Sequence, residues 1–224
     1  MAESAAAVPG VRTSWIGRWA GLGAILYVAL FIIGAVLQSS GTPSGDAAPA
    51  KVIAYYSDDG HRSRIGAGWL LIVIGVFFLL WFLAALRQVV IRWSGEGLLA
   101  AVTGLGGAVY AASTLGAFSI DAAIKTMSDD TYQDRVYPEL IHAGNDIAYV
   151  LHSGGGAAIG AMIVAVSLAA LAARALPPWL GWLSVVAGIA AVVSIFFIPW
   201  IVIAIWLVLA GGLMTFARRR APVG

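Results

Sequence analysis

Unbroken apolar stretches of about 20 residues, none of them alternating with polar positions, recur along the chain, and each is long enough to cross the hydrocarbon of a bilayer as a helix. The first runs from about Trp19 to Gln38, the second from Ile65 to Leu86 and the third from Leu98 to Ile120. A fourth helix is expected to begin near Pro138, with residues 147–173 as its membrane part. The last run, Trp179 to Ala217, would measure about 58 Å as one helix, nearly twice the hydrocarbon thickness, so it must fold into two crossings (179–198 and 201–217). Pro199-Trp200 is the expected turn. The lack of alternation selects helices over barrel strands, and inside lipid every backbone N–H and C=O must find a partner within the protein. The fold class is therefore all-α: a polytopic bundle of six spans over residues 15–217, between a mobile tail (1–14) and a basic tail (218–224).

The polar intervals predict smaller features. Gly41 to Gly45 is a loop, after which Asp46 is a candidate cap for a short helix with Pro49 in its first turn. Val52, Ile53, Tyr55 and Tyr56 would make that helix amphipathic and suit it to the membrane interface. Ser128-Asp129-Asp130 offers a further cap before Pro138. The first span has the flanks of a secretory signal, Arg12 and Arg18, and a small-x-small site at Ala48-Pro49-Ala50. Its apolar run is too long, and that site too distant, for cleavage.

Composition agrees: 61% of the 224 residues are hydrophobic and 11% charged, an inventory that cannot cover a water-facing surface. With no Cys, disulfides and thiolate chemistry are excluded. The basic residues are scattered over the loops, which argues against nucleic acid as a partner. Both termini are expected in the cytoplasm, as this places eight Arg there (12, 18, 87, 92, 174 and 218–220) against Glu3 and Glu96. Lys51, Arg62, Arg64, Lys125 and Arg135 then lie outside with nine acids, in keeping with the positive-inside rule. Trp15, Trp19, Trp93, Trp179, Trp182 and Trp200 all fall near expected interfaces. Small-residue pairs at helical spacing (Gly17 and Gly21, Gly107 and Ala111, Gly156 and Gly160) suit close helix packing, within the bundle or between copies.

One group of polar residues is the candidate ligand site. His61, Arg62 and Arg64 precede the second span, Asp121 ends the third, and His142, Asn145, Asp146, Tyr149 and His152 enter the fourth. Asn145, Tyr149 and His152 share one helix face, as do Tyr110, Thr114 and Asp121. If the faces meet, Asp121 would orient His152 or pair with Arg64. Ionisable groups in a membrane are functional suspects. Counting back from Arg174, however, puts His152 at the outer edge of the hydrocarbon, where water solvates it and replacement by Ala would cost little. No catalytic residue, metal set or cofactor is expected. There is no H-E-x-x-H pattern, Leu151 to Gly155 lacks the leading Gly of a nucleophile elbow, and Thr103 to Gly107 lacks dinucleotide-loop spacing. The midplane carries only Tyr110, Ser113, Thr114, Ser167 and Ser194, which disfavours ion-coupled pumping.

The Arg-flanked first span, the Pro49-x-x-Val52-Ile53-x-Tyr55-Tyr56 loop and Leu176-Pro177-Pro178-Trp179-Leu180-Gly181-Trp182 together resemble a loose group of uncharacterised actinobacterial six-span integral membrane proteins. That resemblance implies a bacterial plasma membrane and supplies no activity. Two functions remain open from sequence: a non-catalytic subunit that packs against copies of itself or another membrane protein, and a protein that binds or transports a small apolar or lipidic molecule. A membrane enzyme using His152 with Asp121 or Asp146 is a more distant third.

Overall fold

A computed structural model describes residues 14–95, 97–127 and 135–216. The N-terminal tail, the Ser128-Asp129-Asp130 cap, Glu96 and the basic C-terminal tail lie outside the described residues. Among the described residues seven helices follow one another: α1 (Ser14–Ser39), α2 (Pro49–Tyr56), α3 (Asp59–Ser94), α4 (Leu98–Lys125), α5 (Pro138–Ala172), α6 (Pro178–Ala191) and α7 (Phe197–Phe216). There is no strand among the described residues. The protein is an all-α bundle in which α1, α3, α4, α5 and α7 are each long and apolar enough to cross a membrane.

Local chemistry places the ends. Asp58 caps α3 by accepting a hydrogen bond from the His61 backbone N–H at 2.9 Å, and Pro138 opens α5 where its missing N–H is harmless. The cap of α2 is Ala48 rather than Asp46, with no side-chain bond, because Pro49 at the first helical position already fixes the start. Part of the apolar face of α2 turns onto the bundle, while Ile53 stays exposed. Val52 and Tyr56 are buried with Ile65, Ala122 and Ile141, closing one end of the molecule, here termed the α2 end.

The break between α6 and α7 falls at residues 192–196, not at Pro199-Trp200. Pro199 instead occupies the first turn of α7, where proline costs no hydrogen bond. The turn's polar side chain is satisfied internally: Ser194 is fully buried and donates to the Ser153 carbonyl at 2.8 Å. Helix α6 has only 14 residues, about 21 Å of rise, so without the turn residues it is shorter than a hydrocarbon slab.

Glycines set the helix spacing. Gly34 of α1 and Gly68 of α3 face one another so closely that a Cβ on either would approach the other's carbonyl oxygen to 2.5 or 2.6 Å. Gly160 and Gly188 approach similarly between α5 and α6, at 2.5 and 2.8 Å, and Gly21 and Gly211 between α1 and α7, at 2.7 and 2.5 Å. Where lipid supplies no hydrophobic drive between helices, such backbone contact is what holds them. The small-residue positions Gly21, Gly107, Gly156 and Gly160 thus meet neighbours within this chain.

Candidate functional site

The polar residues grouped from the sequence do not converge. Asp121 pairs with Lys125 one turn along α4 at 2.8 Å, both nearly buried. The Gln38 amide, oriented to satisfy both neighbours, donates to the same carboxylate at 3.2 Å and accepts from the Trp69 backbone N–H at 3.1 Å. Burial, with the Asp121 carboxylate adding to it, pushes the Tyr56 phenol up to about 12, so it stays protonated over this ion pair. Asp121 therefore neither orients His152 nor pairs with Arg64. The Arg64 guanidinium donates instead to the Ser40 carbonyl and the Tyr55 hydroxyl, tying α3 to α2 and to the end of α1. His61 stacks flat on Tyr55 with centroids 3.9 Å apart. Arg62 pairs with Asp59. His142 and Asn145 are half-buried on α5 and Asp146 is exposed. Tyr149 is also exposed and donates its hydroxyl to the Ile195 carbonyl, pinning the α6–α7 turn.

His152 stands apart, half-buried against aromatic side chains from three other helices. Its ring lies parallel to Trp200 of α7, with centroids 4.0 Å apart and planes 6° apart. Phe31 of α1 stacks at 5.6 Å and 25°. From α4, Phe118 meets it edge-on at 5.2 Å and Tyr110 tilts against it at 6.0 Å. Each of these rings belongs to a different turn or helix, so no sequence spacing signals the cage. Only Tyr110 and Thr114, one turn apart on the face of α4 that also carries Asp121, had a readable pattern.

Beneath the cage runs a short polar chain. The Tyr27 and Tyr110 hydroxyls meet at 2.8 Å. The Thr114 hydroxyl donates to the Tyr110 carbonyl at 2.9 Å, one turn back along its own helix. With its only proton committed there, Thr114 Oγ1 faces His152 Nδ1 at 3.4 Å as an acceptor. This contact favours the tautomer with its proton on Nδ1, in which Nε2 carries a bare lone pair. Nε2 is sealed from solvent and has no hydrogen-bond partner.

This contradicts the solvated rim expected for His152. Tyr110 and Thr114 lie near the middle of the apolar part of α4, and His152 contacts both. The imidazole accordingly sits within the apolar depth of the bundle. Counting from Arg174 failed because α5 is 35 residues long and its register is set by its packing partners rather than by that arginine.

No protein-family model, curated protein or solved structure matches the chain. Among the described residues, no three His, Asp or Glu gather closely enough to hold a metal ion. A separate recess of about 320 Å³ runs between α4, α5 and α6, lined by apolar residues including Leu98, Val102, Ala161 and Ile189. It opens on the apolar outer face and does not include His152.

Proposed function

We propose that this chain is a multi-pass protein of a bacterial plasma membrane that binds a small, lipid-soluble molecule at His152, between α1, α4, α5 and α7. The observation that carries the proposal is His152 Nε2, a strong acceptor sealed inside an aromatic cage and left without a donor. A buried polar atom in that condition costs about 1–3 kcal/mol, a cost a folded protein keeps where function requires it. Trp200 and Phe31 beside the imidazole supply stacking surfaces that hold flat apolar bodies.

Six crossings, with both termini in the cytoplasm, frame this reading. Helix α6 extended by its apolar turn accounts for the fifth, since Val192, Val193, Ile195 and Phe196 are all exposed as a lipid-facing surface would be. The charges support the orientation: Arg87, Arg92 and Arg174 lie at the end opposite α2, whereas Lys51, Arg62, Arg64, Asp121 and Lys125 lie at the α2 end. The Leu176 to Trp182 pattern supports the bacterial source. A second reading, a subunit that packs against another membrane protein or a second copy, draws on the apolar recess between α4, α5 and α6.

Native mass spectrometry of the protein released from its own membranes tests the binding. The natural chain should carry a small molecule that His152→Phe loses, because Phe keeps the ring and removes the acceptor. Identical bound species on both proteins would overturn the proposal.

A further inference from the structure

The cage also specifies what kind of molecule it takes, an inference that rests on the binding function proposed above. We propose that the ligand is a neutral hydroxyaryl compound, its O–H donating to His152 Nε2 and its ring packed against Trp200 and Phe31.

Three features select that class. First, the site presents an acceptor. Thr114 spends its proton on the Tyr110 carbonyl and accepts from Nδ1–H, so the Nε2 lone pair must meet a donor. Second, the donor must be uncharged. Tyr110 on α4 lies against the ring, its hydroxyl bonded to that of Tyr27 on α1, and among the described residues no carboxylate contacts the ring. The nearest acid along α4, Asp121, is two turns beyond Thr114 and already neutralised by Lys125. An ammonium would enter hydrocarbon without a counter-ion, a cost that selects against it. Third, the donor must sit on something planar. A group meeting Nε2 lies in the imidazole plane, which the Trp200 ring parallels to within 6° and the Phe31 ring to within 25°. A flat aromatic body stacks along such rings, where a branched aliphatic alcohol packs poorly.

Entry runs through Trp200. It follows the irregular stretch 192–196 and Pro199, the least regular part of the membrane-facing bundle, and it is only partly buried. Rotation of this side chain opens a path to the imidazole without breaking a helix, and its return packs the indole on the bound ring.

The test compares naphthol with its methyl ether, which keeps the ring and lacks the donor, in lipid nanodiscs containing the full chain, with empty nanodiscs as the partition control. Naphthol should bind saturably and at least about ten-fold more tightly than the ether, and His152→Phe should erase that ratio. Thr114→Val, which frees Nδ1–H and lets the other tautomer form, should reduce it while leaving the helices intact. Equal binding of the two probes, lost together in His152→Phe, would overturn the hydroxyaryl assignment and leave the His152 binding site standing. Absence of saturable binding of either probe above the partition control would overturn both.

Discussion

His152→Ala should lower the stability of the bundle by about 1–3 kcal/mol, whereas His152→Phe should leave it unchanged or slightly raised. The difference follows from what each substitution removes. Alanine deletes a ring that touches Trp200, Phe31, Phe118 and Tyr110, and a membrane bundle depends on such contacts because burial from lipid contributes so little. Part of that loss is offset because the unpartnered Nε2 disappears with the ring. Phenylalanine keeps the contacts and also removes the unpartnered nitrogen, giving up only the long bond from Nδ1 to Thr114. Thermal unfolding in detergent, followed by the loss of the monodisperse peak, distinguishes the cases. A histidine solvated at a membrane rim would tolerate Ala and Phe alike.

Gly68→Ala is expected to be the more damaging change, although it adds a single carbon. That carbon would lie 2.6 Å from the Gly34 carbonyl oxygen, and backbone cannot move aside as a side chain can. Helix α1 would have to retreat along its contact with α3, costing about 1–3 kcal/mol, and a β-branched residue there should prevent assembly. Gly34→Ala should act similarly, and the double variant should cost less than the sum, since one displacement of α1 relieves both collisions. Yield of folded protein and its unfolding temperature report both effects. Gly212, where an added Cβ meets nothing within 4 Å, is the control position.

The apolar runs made the bundle readable because lipid imposes so narrow a rule: backbone groups are paired within a helix or not at all. Helices α1, α3, α4 and α5 appear where their hydrophobic stretches fall, and Pro138 marks the start of α5 as its chemistry predicts. Between α6 and α7 that rule is silent. Residues from Val192 to Trp200 are almost uniformly apolar, so the turn is placed by Ser194 finding the Ser153 carbonyl and Tyr149 finding that of Ile195, contacts 41 and 46 residues apart in sequence.

The site was legible only as a single name. His152 was visible as an ionisable residue in an apolar helix, but its grouping with Asp121, Asp146 and Arg64 followed from adjacency at helix ends. The folded chain satisfies those charges locally, Asp121 with Lys125 and Arg64 with the α2 segment, before they can reach the imidazole. What surrounds His152 instead is aromatic: Phe31, Phe118 and Trp200 look like ordinary lipid-span residues until helix packing brings them together.

The most direct test of the sealed, donor-seeking imidazole is the nitrogen spectrum of the protein labelled with ¹⁵N in its histidine rings, in nanodiscs free of added ligand. At about pH 8, where ordinary histidines are neutral, one of the three should show a proton fixed on Nδ1 and an unprotonated, non-hydrogen-bonded Nε2, a signal absent from His152→Phe. A proton on Nε2, or exchange with water as fast as that of His61 and His142, would contradict the account.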